Sequence, residues 1–214
     1  MNVFRLAIVT DVHGDVHALA DALAQIGRLA CDAIVCCGDV VDYGLFPDET
    51  IELLARRKIP TVCGNHDRWA IEGSSATGGG WDLSKASRKF LASLPTEWRI
   101  EHAGIRVAVH HASPGNDMLG ISPDEIDRVE ADRHLVAANA DVLVVGHTHR
   151  GFELLVGSGK RILNPAALLR SPAEGATNPP ATGTFGVLEL PLLRFRVLCA
   201  ADGADVAILR KTLG

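Results

Sequence analysis

"FRLAIVTDVHG", residues 4–14, carries an apolar run that stops abruptly at Asp11 and gives way to His13 and Gly14. The run is continuous rather than alternating, which is the mark of a strand covered on both faces. Four more runs share this form: "AIVCC" (33–37), "IPTVC" (59–63), "RVAVH" (106–110) and "DVLVV" (141–145). Amphipathic helical patterns lie between them. Leu19, Ala22, Leu23, Ile26 and Ala30 share one face of the first, and Pro47 with the acidic Asp48 and Glu49 opens the second. "SPDE" from Ser122 reads as a capping box, with Ile126, Val129 and Val136 along one side of the helix it would start. Strands alternating with helices imply an α/β fold with a largely parallel sheet.

The residues at the end of each run point to chemistry. After the first come Asp11 and His13, after the second Gly38-Asp39, and after the third Gly64-Asn65-His66-Asp67. The fourth ends in His110-His111 and the fifth in Gly146-His147-Thr148-His149. The carboxyl ends of the strands form the ligand-binding edge of an α/β sheet, so five segments deliver oxygen and imidazole donors to one rim. In Asp11-x-His13 and His147-x-His149 the donors are two apart, and an extended backbone aims both to one side. Carboxylate, imidazole and one amide, without thiolate, suit divalent Mn, Fe, Zn or Ni. The donors outnumber the needs of one ion, so two ions sharing a carboxylate is the better reading. Neighbouring side chains on a strand point to opposite faces, so at most one of His110 and His111 joins the rim. Of the nine histidines, His17, His102 and His134 fall outside these motifs and read as surface groups.

The rest of the chain sets limits. With 214 residues, 47% of them hydrophobic and 22% charged, it is expected to form one well-cored domain over residues 1–214. A net charge of -5 with both signs interspersed argues against stable nucleic-acid binding, which calls for a basic stripe. No run approaches the ~20 apolar residues of a membrane span. Cys31, Cys36, Cys37, Cys63 and Cys199 are odd in number and lack C-x-x-C spacing, and no secretory signal precedes the first run. A reduced, cytoplasmic protein is expected, with Cys36, Cys37 and Cys63 as small buried hydrophobes. In the last third, "GFELLVG", "KRILN", "GTFGVLEL" and "LRFRVLCA" read as antiparallel strands that form a second sheet or extend the first. Segments 72–80 and 171–183 read as polar surface loops. The sequence leaves the oligomeric state open.

The ordered set D-x-H, G-D, G-N-H-[DE], H and G-H-x-H over residues 11–149 resembles the calcineurin-like metallophosphoesterase superfamily. "ILNPAALL" (162–169) is also similar to the asparagine–proline segment of its small bacterial phosphoesterase branch. The resemblance implies a four-layer α/β/β/α sandwich of two mixed sheets, with a dinuclear metal site at the strand ends. It implies that Asp11, His13 and His149 bind one metal, that Asn65, His147 and the strand-end histidine bind the other, and that Asp39 bridges them. In that family the strand-end histidine is usually followed by Gly and then often Ser-Pro or Thr-Pro, a frame that His111-Ala112-Ser113-Pro114 keeps with Ala in place of Gly and that His110 does not. It further implies that a metal-bridging hydroxide attacks phosphorus while His66 protonates the leaving oxygen. "GDVVDYG" (38–44) resembles the serine/threonine phosphatase segment whose second aspartate, here Asp42, orients that histidine. Tyr43 stands where those phosphatases carry a phosphate-binding arginine, which weakens a protein-phosphatase assignment. Arg68 is a further phosphate contact to consider, against an ordinary surface salt bridge. Trp69 and Trp81 bracket the glycine-rich loop, as base-stacking groups or as packing beneath it.

The expected activity is hydrolysis of phosphodiesters or phosphomonoesters, with small phosphorylated molecules, nucleotides among them, as substrates. Dinucleoside polyphosphate hydrolysis, protein phosphatase activity and a non-catalytic metal-binding scaffold are the alternatives.

Overall fold

The computed structural model describes residues 3–74, 82–157, 159–170 and 183–214. In chain order the elements are β1 (Phe4–Val9), α1 (Val16–Arg28), β2 (Ala33–Cys36), α2 (Pro47–Arg56), α3 (Asn65–Glu72), α4 (Lys85–Ala92), β3 (Glu97–His102) and β4 (Ile105–His110). They continue with α5 (Arg128–Ala137), β5 (Val142–Val144), β6 (Gly151–Val156), β7 (Lys160–Pro165), β8 (Thr184–Leu190), β9 (Arg194–Cys199) and β10 (Leu209–Leu213). One sheet has the order β2-β1-β8-β9, the other β10-β6-β7-β5-β4-β3.

The continuous apolar runs are explained by what lies on each side. Leu6 and Ile8 of β1 point between the sheets, where they meet Val107 and Val109 of β4 and Val142 and Val144 of β5. The alternate residues Ala7 and Val9 point outward, to Leu19 of α1, Leu54 of α2 and Leu91 of α4. On the far side, Leu143 of β5 and Phe152 of β6 pack against Ala131 and Leu135 of α5. Helices therefore cover both outer faces, and the layers run α/β/β/α.

Several expectations are corrected in detail. The sheets are mixed, as the family resemblance implied, and not largely parallel, as strand–helix alternation implied: β1–β2 and β4–β5 pair in parallel, but β1–β8, β3–β4, β6–β7 and β8–β9 pair antiparallel. The last-third strands divide between the sheets, β8 and β9 extending the first and β6 and β7 the second. "IPTVC" makes a single parallel bridge, Thr61 to Cys36, because Pro60 has no N–H to continue a ladder. Ala30 lies beyond the end of α1, exposed and with φ 50°. The helix expected from Ser122 starts six residues later: Ser122 closes a turn through its carbonyl, and the Asp127 side chain caps α5 at Glu130 N. Val129 and Val136 are exposed there, since α5 packs through its smaller Ala131 and through Leu135. Most of the two polar loops (75–80 and 171–182), together with Trp81, lies outside the described residues.

Candidate metal centre

Tight loops at the strand ends turn the donors inward. Asp11, His13, Asp39, His147 and His149 all have φ between 49° and 64°, a left-handed backbone that costs non-glycine residues roughly 1–2 kcal/mol each. Backbone bonds between the loops hold this strain in place: Asp11 N to Gly38 O (3.0 Å), His13 N to Asp39 O (2.9 Å) and Gly14 N to Val40 O (2.8 Å). Two glycines are required by close approach. A Cβ at Gly64 would fall on the Asp39 carboxylate, and one at Gly146 on Thr10 Oγ1 and Asp11.

The donors gather into overlapping groups, Asp11–His13–His149, His13–Asp39–His66 and Asp39–His111–His147, each with its ligand atoms within 4.8 Å of one another. Asp39 Oδ2 stands in the middle, 3.2 Å from His111 Nε2 and 3.8 Å from His13 Nε2. Asn65 Oδ1 lies 3.0 Å from both His111 Nε2 and His147 Nδ1. His149 Nε2 lies 3.3 Å from Asp11 Oδ1. The structure thus brings together Asp11, His13, Asp39, Asn65, His111, His147 and His149.

The chemistry of this donor set fits divalent cations. His13 Nδ1 faces Val41 O at 3.1 Å and His111 Nδ1 faces Cys37 O at 2.9 Å. A carbonyl only accepts, so each Nδ1 carries a proton and each Nε2 is the nitrogen that faces the cluster. His13 Nε2 meets His149 Nε2 at 3.1 Å, and His111 Nε2 meets His147 Nδ1 at 3.2 Å. Each pair needs one positive centre between its nitrogens, a proton or a metal.

Charge tells the same story. Burial works against ionising Asp11 and Asp39, but the His149 charge and hydrogen bond hold Asp11 below its ordinary pKa, and those of His111 hold Asp39 far below. Burial also disfavours charge on His111 and His149, yet Asp39 pushes His111 up to about 10, and Asp11 raises His149. Burial wins at His13, lowered to about 4, and at His147, also lowered. Two carboxylates thus draw positive charge into a closed site.

His66, the second residue of α3, lies beside this cluster. Its Nδ1 lies 2.8 Å from Asp42 Oδ2 and its Nε2 3.9 Å from Asp39 Oδ2. Burial opposes its charge, but the Asp42 hydrogen bond and the Asp39 charge raise its pKa. Tyr43 packs its ring against His13 and His66, with centroids 4.7 and 4.9 Å away, and Trp69 packs edge-on against His66. Arg68 makes an ion pair with Asp117 and a second with Glu72.

His110 turns the other way. Its ring is buried against Glu97, whose Oε2 is 3.5 Å from Nε2, and burial lowers its pKa. Cys36 and Cys37 are fully buried as expected, whereas Cys63 is only partly so. Among the histidines set apart from the motifs, His17 is exposed against Phe46, His102 stacks on Phe4, and His134 is half-buried near Glu130.

Sequence reasoning left two organising residues without a role. Asp67 is fully buried and accepts hydrogen bonds from Val40 N (2.8 Å) and Gly64 N (3.0 Å), tying the Asp39 loop to the Asn65 loop. Burial and the Asp39 charge push its carboxyl up to about 7. Asn164 Nδ2 donates to Gly146 O (2.8 Å), fixing the loop that carries His147 and His149. The acidic fourth position of "GNHD" and the lone polar residue in "ILNPAALL" were the available signals.

Residues 4–189 match the family model described as the calcineurin-like phosphoesterase superfamily domain. An uncharacterised protein of Methanocaldococcus jannaschii is 29% identical over 178 residues, 74% of this chain and 70% of that protein. Serine/threonine-protein phosphatase 2 of Escherichia coli is 28% identical over 169 residues, 65% of this chain and 78% of that protein. The crystal structure of a metallophosphoesterase from Sphaerobacter thermophilus superposes with a TM-score of 0.69 at 25% identity, covering 97% of this chain and 89% of that one. Among the described residues, no helix is long and apolar enough to cross a membrane.

Proposed function

The chain belongs to the calcineurin-like phosphoesterase superfamily, and on that premise we propose that it hydrolyses small phosphate diesters or monoesters, nucleotides among them, at a two-cation centre. Asp11, His13 and His149 would hold one ion, Asn65, His111 and His147 the other, and Asp39 both. The observation that carries this reading is the overlap of the donor groups, in which Asp39 faces His111 on one side and His13 on the other. When bound, two divalent ions supply positive charge for the phosphate oxygens and acidify water into the neutral range.

The protein's own side chains do the rest. Asp42 accepts from His66 Nδ1 and so fixes the ring, leaving Nε2 to hold a proton above the cluster. The raised pKa favours the protonated ring, the form a general acid for the leaving oxygen needs. Tyr43 and Trp69 both pack against that ring, each with its centroid 4.9 Å away. Tyr43 offers no fixed positive charge, which speaks against the protein-phosphatase alternative.

Chelated protein assayed against bis(4-nitrophenyl) phosphate and 4-nitrophenyl phosphate, with and without added Mn, is the test. Activity that appears only with metal, at about two ions per chain, is expected. Two bound ions without turnover of any ester would favour the scaffold instead.

A further inference from the structure

α5 carries apolar residues on a face that the core does not use. Its inner face, with Ala131 and Leu135, packs on the second sheet. Val129 and Val136 stand on the opposite side, 58% and 71% exposed. Together with Asp132, Arg133 and Ala137 they line a groove of ≈ 450 Å³. These positions follow one another at helical spacing, so all five share one face, the pattern of a helix that meets another element.

The charges on this face indicate what covers it. Asp132 and Arg133 flank the line from Val129 to Val136, one on each side and almost level along the helix axis. Among the described residues, Arg133 has no ion pair, and Asp132 meets only Arg128 of its own helix, at 3.5 Å. Suppose two copies of α5 lie side by side and parallel, about a two-fold axis that runs along the helices. Asp132 of each copy then stands beside Arg133 of the other, and the charge pair is made twice. Between the two pairs, Val129 meets Val129 and Val136 meets Val136. An antiparallel arrangement would instead set Asp132 against Asp132 and Arg133 against Arg133, which repel. The face complements itself in the parallel orientation.

We propose that α5 is the contact face of a homodimer, packed through Val129 and Val136 and flanked by Asp132–Arg133 pairs between the copies. A helix of 10 residues offers less than the roughly 800 Å² per partner of a standard interface. The dimer therefore forms and dissociates with protein concentration. None of the donors of the cluster lies on α5, so substitutions there leave the metal centre intact.

Sedimentation equilibrium of the full chain over roughly 10 μM to 1 mM is the experiment. The wild type should pass from monomer to dimer across that range. Val136→Asp should abolish association by placing two carboxylates at the axis. Arg133→Glu sets a carboxylate against Asp132 at both contacts and should weaken association roughly tenfold or more, and Asp132→Lys should do the same with two cations. Mixed in equal amounts, the Arg133→Glu and Asp132→Lys proteins should associate again, because each contact then joins opposite charges. Asp132, Arg133 and Val136 all reach solvent, so these substitutions spare the core. A wild type that stays monomeric throughout, association undiminished in Val136→Asp, or a mixture that associates no better than its parts would each overturn the proposal.

Discussion

At the end of β4, His111 stands among Asp39, Asn65 and His147, while its neighbour His110 sits against Glu97. Both rings are buried, at 2% and 6% exposure, so depth does not separate them. Charge does. Asp39 pushes His111 up to about 10, whereas at His110 burial outweighs the Glu97 charge and lowers the pKa. One strand end thus serves two environments, and the pleat alone assigns the two residues to them.

The largest effect expected separates the two faces outright. His111→Ala should lose metal and activity together, since its Nε2 is common to Asp39, Asn65 and His147. His110→Ala should keep both ions. Elemental analysis of the two variants compares them directly, and a His110→Ala protein without metal would erase the distinction.

Next in size is the acid. His66→Asn should retain metal yet lose ~10²–10⁴-fold in rate on esters with basic leaving groups, and clearly less with nitrophenolate, which needs little protonation. Asp42→Asn should show the same pattern more weakly, because it acts through the 2.8 Å contact to His66. Equal losses across leaving groups would assign His66 to phosphate binding instead.

The cluster face was far more legible in the sequence than the rest. Its donors come directly after apolar runs that stop sharply, and strand ends at one sheet edge converge whatever the loops between them do. The frame after the strand separated His111 from His110 because Ala112 and Ser113 are small and His111 is not. Legibility failed where packing uses few or small groups. β3, "EWRIEH", is an edge strand whose exposed positions are charged, so no apolar run announces it. β10 is equally polar and, among the described residues, pairs only with β6. At α5, Val129 and Val136 supplied the apolar signal but point to solvent, while Ala131 supplies much of the contact. Asp67 and Asn164 act through backbone partners far away in sequence, Val40 and Gly146, and no local spacing encodes that.

A smaller effect comes from protons on the cluster face. His111 must be neutral to bind a metal, yet without one it is pushed up to about 10. Below that pH a cation must displace a proton, so affinity should rise with pH, by about tenfold per unit for each proton released. Mn titrations at pH 6, 7 and 8 measure the slope, and a flat profile would mean that His111 is already neutral in the metal-free protein.

The smallest effect belongs to His110 and tests its face alone. His110→Phe keeps a planar ring of similar size and removes a buried nitrogen that lacks a partner. An unpaired buried polar atom costs roughly 1–3 kcal/mol, so the variant should be as stable as the wild type or slightly more so at pH 8. The sign of the pH dependence comes from the lowered pKa. Unfolded His110 takes up a proton near its ordinary 6.5, while the folded side chain does so only at lower pH. Between those values the unfolded state binds more protons, so wild-type stability falls as pH drops through this window. His111 and His149, with raised values, add stability at low pH and lose it as pH rises, but they are common to both proteins and cancel in the difference. The stability gap between His110→Phe and wild type should therefore widen in favour of the variant from pH 7 to pH 5. Parallel denaturant titrations at the two pH values measure it. A gap that narrows would mean that Glu97, 3.5 Å away, closes on the protonated ring and stabilises it, giving this face a charge pair as well.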